Sequence, residues 1–207
     1  YNDGKIPPIV IAKVGKYSEN EYFGKPSGLL DQIGTSFDAC NFIDFKNIEN
    51  PKIETIKFEL PLSIFLIKSR GSHAGLTHLY SSIPEDMKNV AKALDNKDFI
   101  RDAENLDDIE KRIDSLDVED LSKKRAIHFF NENKNVIQAK KALETNDVEL
   151  FLDAVRNSQK SSFENLKNTY VVGEYKGSPQ DIIDNVNYFL GDIKGAIRIH
   201  GGGFKGT

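Results

Sequence analysis

The sequence is poor in sulfur and has no tryptophan: among 207 residues there is one cysteine, Cys40, and one methionine, Met87. A lone cysteine excludes an internal disulfide framework and points to a reducing compartment, with the cytoplasm as the default. Long apolar runs are missing too. The longest, Leu60 to Ile67, is strand-length, well short of the roughly 20 residues a membrane helix needs, so no membrane is expected as a partner. Positive charge is not in excess, since 28 Lys and Arg against 32 Asp and Glu leave a net −4. With no basic stripe either, nucleic acid is not the expected partner. The opening YNDGKIPP has neither the basic nor the apolar region of a signal peptide. It also lacks an initiating methionine, so the expectation is a longer parent from which an upstream part has been removed.

What is present is an ordinary globular balance, 39% hydrophobic and 29% charged, on a chain long enough for a hydrophobic core. Ile9, Ile11, Ala12 and Val14, with Tyr17 and Tyr22 later, predict an entry helix over 8 to 22 that gives way at Gly24-Lys25-Pro26. Asn41–Phe45 and Ile53–Phe58 read as strands, and Leu60–Lys68 as a third, more buried one. Pro84 suits a first helical turn, with Met87, Val90, Ala91 and Leu94 forming an apolar stripe behind it. Leu106 to Leu116 reads as a solvated helix with one buried edge, and Leu121 to Leu143 as a long helix with a continuous apolar side. Asn146 with Glu149 resembles a capping box for the next helix, completing a helical hairpin. Ser178-Pro179 opens another helix, and Gly195–Ile199 reads as a short buried strand. The fold class is therefore α+β, an antiparallel sheet with several packed helices.

The closing stretch, Arg198-Ile199-His200-Gly201-Gly202-Gly203-Phe204-Lys205, is the least ordinary. Consecutive glycines cost backbone entropy, so either a ligand or phosphate approaches the bare backbone there or the segment is a flexible tail or hairpin turn. Composition leaves both open.

The segment GAIRIHGGGFKGT resembles the third signature motif of galactokinases, members of the GHMP small-molecule kinase family. ENEYFGKPSGLLDQIGTSF is similar to the family segment carrying the catalytic aspartate, and GSHAGLTHLYSSIPEDMKNVAKAL to its sugar-side segment. RAIHFFNENKNVIQAKKAL and NDVELFLDAVRNSQKSSFENLKNTYVV resemble its helical hairpin. The resemblance covers essentially the whole chain, in order. It implies a ferredoxin-like GHMP C-terminal domain over residues 60–207 and a remnant of the N-terminal domain over 1–59.

The resemblance also implies roles. Asp31 matches the aspartate that acts as base or electrostatic partner while the sugar's anomeric oxygen attacks the γ-phosphoryl group of ATP, a reaction that depends on positioning and charge. Without the resemblance it would pass as an ordinary carboxylate near a turn. Gly28 and Tyr80 match residues bordering the sugar, and Gly202, flanked by Gly201 and Gly203, matches the loop over the reacting groups. Galactose and Mg-ATP are the implied ligands of the parent. The N-terminal sugar-recognition motif and the Gly/Ser-rich phosphate cradle do not occur in this chain, so no tightly bound nucleotide and no activity are expected of it alone. The missing N-terminal half is its implied partner, and the implied sheet continues past Thr207, leaving a sheet edge open.

Lys205 departs from the family, which has glycine or alanine there; it points outward, contacts phosphate, or marks a member drifted from catalysis. No metal site is expected: His73 and His78 are five apart with no cysteine nearby. His128 reads as a packing or surface residue, and His200 as structural or substrate-touching. Cys40 reads as a small buried hydrophobe. Besides a galactokinase fragment, the sequence admits a GHMP kinase for another sugar, a non-catalytic sugar sensor and a folding domain with no binding of its own.

Overall fold

Prolines open the first helix, where their fixed φ and missing N–H are no loss: α1 spans Pro8–Tyr17 with Pro7 as N-cap. The computed structural model describes residues 4–24, 27–69 and 75–205. They fall into two units, Tyr1–Pro61 with Leu143–Asp147, and Leu62–Ala142 with Val148–Thr207.

In the first unit α1 runs into a π-helical turn, Ser18–Tyr22, and packs on the short α2, Leu30–Ser36. Ala12, Leu29 and Ile33 form a buried cluster, with Phe37, Ile43 and Ile53 packed against it. Two antiparallel strands follow, β1 (Cys40–Asp44) and β2 (Lys52–Ile56), registered with Phe42 opposite Glu54 and Ile43 opposite Ile53. Cys40 is half-buried, and burial pushes its thiol up, away from the reactive thiolate.

The second unit is helical. α3 spans Thr77–Asp95, so it begins seven residues before the proline expected to open it, and Pro84 lies inside. Leu76, Leu79, Tyr80 and Ile83 already carry helical spacing, which outweighs the single hydrogen bond a proline cannot donate. α4 (Ile109–Asp114) buries Ile109 and Ile113 and exposes its charged side. α5 (Asp120–Thr145) runs 26 residues, α6 covers Val148–Ser161 and α7 Pro179–Leu190. Val90, Ala91, Ile100, Ile113, Ala126 and Phe130 form the core between α3, α4 and α5. Asn146 has φ 53° and so ends α5 in the left-handed conformation; it is not the expected cap of α6. Ser178 caps α7, its Oγ accepting from the Asp181 N–H at 3.2 Å. Among the described residues no helix is long and apolar enough to cross a membrane.

Two expected strands are not strands. Leu60–Lys68 forms no regular secondary structure, bending at Leu60 and Pro61, and pairs with no strand among the described residues; Ile64, Phe65 and Leu66 are 74%, 81% and 84% exposed. Residues 195–199 also form no strand, and of them only Ile199 is buried. The Ile199 N–H donates to Gln159 Oε1 at 2.9 Å, and Gln159 Nε2 in turn donates to Gln180 Oε1 at 3.1 Å. A side-chain amide on α6 thus replaces the strand partner. The α+β reading holds, but its sheet is the β1–β2 hairpin.

Polar side chains link α5 to α6. His128 Nδ1 lies 3.0 Å from Ser161 Oγ, Ser158 Oγ donates to Glu132 Oε2 at 2.7 Å, and His128 Nε2 is 3.9 Å from the same oxygen. Burial holds the His128 imidazolium pKa below its ordinary 6.5; Glu132 opposes this and Arg198 adds to it. The unfolded chain therefore binds the proton more readily, so stability falls as pH drops through 6.5 toward the lower folded value. Thermal melts between about pH 7.5 and about pH 5.5 should show this decline, and His128→Gln should flatten it.

Candidate functional site

In the first unit, the residues around Asp31 are held from the π-helical turn. Asn20 Oδ1 accepts from the Ser27 N–H at 2.8 Å, and Glu19 accepts from Ser27 Oγ and, at 3.1 Å, from Gln32 Nε2. These bonds clamp the chain on both sides of Gly28 and Asp31. Gly28 is exposed; its φ is not positive, and a Cβ there would meet nothing within 4 Å. Neither backbone strain nor internal packing accounts for a glycine at this place. Asp31 stands in the first turn of α2, where a carboxylate suits the helix dipole. Its main-chain oxygen accepts from Thr35 Oγ1 at 3.0 Å, and its exposed carboxylate has no partner among the described residues.

In the second unit the structure brings Tyr80 and the glycine triplet together. Tyr80 Oη donates to the Gly203 carbonyl at 2.8 Å, and burial pushes its phenol up, so it remains a donor. Its ring meets Phe204 edge-on, centroids 5.2 Å apart. Asn168 Nδ2 donates to the Gly202 carbonyl at 3.1 Å, and the Phe204 N–H donates to the Asn168 carbonyl.

These contacts explain two of the three glycines. A Cβ on Gly202 would lie 2.7 Å from the Tyr80 ring, and one on Gly203 would lie 2.2 Å from the Asn168 carbonyl, at a φ of +76°. Gly201 also has a positive φ, +69°, but open space beside it. The triplet is thus a fastened loop, with exposed Gly201 and Gly202 outside and buried Gly203 inside. Lys205, the departure from the family, pairs with the Glu174 carboxylate, tying the loop's exit to the turn bridged by Val171 and Glu174.

Residues without a local signal complete this arrangement. Arg125, 4% exposed on α5, pairs with Asp86 and donates to Ser82 Oγ at 2.9 Å on α3, and to the Leu166 carbonyl at 3.4 Å. It therefore holds α3, which carries Tyr80, to the chain entering Asn168. His200 is exposed beside the loop, and His73 lies outside the described residues. Among the described residues no group of three or more His, Cys, Asp or Glu could hold a metal.

No protein-family model matches the chain. It is 28% identical to the galactokinase of Streptococcus thermophilus over 209 aligned positions, 99% of this chain and 51% of the relative. The galactokinase of Thermotoga maritima is 29% identical over 97% of the chain and 53% of its own length. The chain is similar to galactokinases. It also shares their fold, superposing on a crystal structure of Lactococcus lactis galactokinase complexed with galactose at a TM-score of 0.66, with 16% identity over 98% of this chain and 51% of that one. The chain spans about half the length of the galactokinases it matches.

Proposed function

We propose that the chain is the C-terminal part of a cytoplasmic sugar kinase that transfers the γ-phosphoryl group of Mg-ATP to the anomeric oxygen of galactose. The observation that carries this reading is similarity to galactokinases over 97–99% of the chain. In it, residues 1–59 belong to the N-terminal kinase domain and 60–207 to the GHMP C-terminal domain.

Each residue then has a task. Asp31 takes the proton of the attacking hydroxyl or stabilises the charge that develops on it, a task suited to a carboxylate with no internal partner to compete. Gly28, a glycine without an internal reason, leaves room for the sugar to lie against the backbone. Tyr80 offers a ring edge to the sugar while its hydroxyl braces the loop, and Gly201 and Gly202 present side-chain-free backbone to the reacting groups while buried Gly203 anchors them. Mg²⁺ would supply charge neutralisation on the phosphates, and no side chain described here is assigned to it.

The rival reading as a non-catalytic sugar sensor drew only on Lys205. Its pairing with Glu174 is a structural role that supports the kinase reading over the rival. The test is ATP-dependent phosphorylation of a panel of sugars by the whole polypeptide carrying this chain, with the 207-residue chain assayed in parallel. Turnover of galactose by the whole polypeptide and none by the chain alone is the expected result. Turnover of a different sugar moves the assignment within the GHMP kinases, and no turnover on any sugar refutes it.

A further inference from the structure

Asn168 is 4% exposed, yet its amide is only half used: Nδ2 donates to the Gly202 carbonyl at 3.1 Å, and Oδ1 has no partner among the described residues. An apolar side chain of the same size would avoid the cost of that buried oxygen. What such a side chain could not do is hold the Gly202 carbonyl. The same residue also receives the Phe204 N–H on its own carbonyl, and that carbonyl stands where a Gly203 side chain would begin.

We infer that Asn168 is a positioning residue of the glycine loop, acting with Tyr80 to draw two consecutive carbonyls inward and so fix which part of the loop faces a ligand. The inference rests on the sugar-kinase reading for its use and on geometry for its substance. A planar trans peptide points its N–H opposite its C=O, so holding the Gly202 carbonyl orients the whole Gly202–Gly203 unit. The Tyr80 hydroxyl does the same for the next unit from the other side, 2.8 Å from the Gly203 carbonyl. With both carbonyls taken, the loop's outer edge is left to exposed Gly201 and Gly202. The resulting surface is set before a substrate arrives, which spares the reaction the ordering of three flexible residues. Asn168 touches no reacting atom in this scheme; it acts through the backbone it holds.

The decisive variant is Asn168→Leu, which removes the Nδ2 donor and the unpartnered Oδ1 together at similar volume. Its melting temperature should stay close to that of the parent chain. The amide resonances of Gly201, Gly202 and Gly203 in the NMR spectrum of the chain should shift or broaden. In the whole polypeptide kcat should fall about tenfold with the KM for galactose within about twofold, since a small displacement of a positioning group acts on the rate. Asn168→Ala serves if the leucine variant does not fold. Unmoved glycine resonances, or an unchanged kcat, would overturn the inference. Disturbed resonances in a protein whose parent shows no sugar turnover would leave the positioning role standing and remove the kinase reading instead.

Discussion

Replacing Asp31 with alanine should lower the kcat of the whole polypeptide by about 10²–10⁴, the range in which a positioned general base contributes. The same substitution should leave the fold alone. Asp31 is exposed, and among the described residues its carboxylate has no partner, so alanine removes no internal contact beyond a favourable place near a helix N-terminus. Stability should therefore change by less than about 0.5 kcal/mol, as expected for a surface position. This separation makes the experiment clean, because a loss of rate cannot be blamed on unfolding. Asp31→Asn, which keeps shape and loses charge, should be nearly as impaired. The measurements are steady-state turnover of galactose with ATP and a thermal melt of each variant. A rate within twofold of the parent would remove Asp31 from the chemistry, whatever became of the galactokinase reading.

Helices were legible because their signal is local. Met87, Val90, Ala91 and Leu94 recur at helical spacing. The first turns of α3 were less legible, since Pro84 is a strong local start signal that the apolar spacing from Leu76 to Ile83 overrides. Strands were half legible for a related reason. Alternation and β-branched residues mark a segment that could join a sheet, and residues 60–68 and 195–199 are in no strand. They do not show whether a partner lies alongside, and the Ile199 N–H finds a glutamine on α6 instead.

The glycine triplet stood out in the sequence, but the reason for each glycine did not. Gly202 is explained by a tyrosine and Gly203 by an asparagine, 122 and 35 positions back along the chain, and no local pattern connects them. Asn168 had no signal of its own, being one of many asparagines in a polar stretch. Its contacts separate it from the rest: a donor bond to a residue 34 positions away, and a carbonyl against which only a glycine fits.

Arg125→Ala should be the most destabilising single substitution proposed for this chain. The guanidinium is 4% exposed, pairs with Asp86, donates to Ser82 and reaches the Leu166 carbonyl, while Asp86 also accepts from Ser122 Oγ at 2.9 Å. A buried pair of this kind adds little against a well-packed apolar substitute, but removing one member strands the other's charge, at about 3–5 kcal/mol. Asp86 keeps some access to water, its side chain being 17% exposed, so the lower end of that range, about 3 kcal/mol, is expected. For a chain of this size that is a drop of roughly 6–12 °C in melting temperature. Asp86→Ala should cost a similar amount, because it leaves the more deeply buried guanidinium unpaired. The double variant Arg125→Met, Asp86→Ala should be less destabilised than the two single losses combined, since neither charge is then left alone. Additive losses in that cycle would show that the two side chains contribute separately and that the pair does not fasten α3 to α5. The consequence would also reach the loop, because Arg125 holds both the helix carrying Tyr80 and the carbonyl two residues before Asn168.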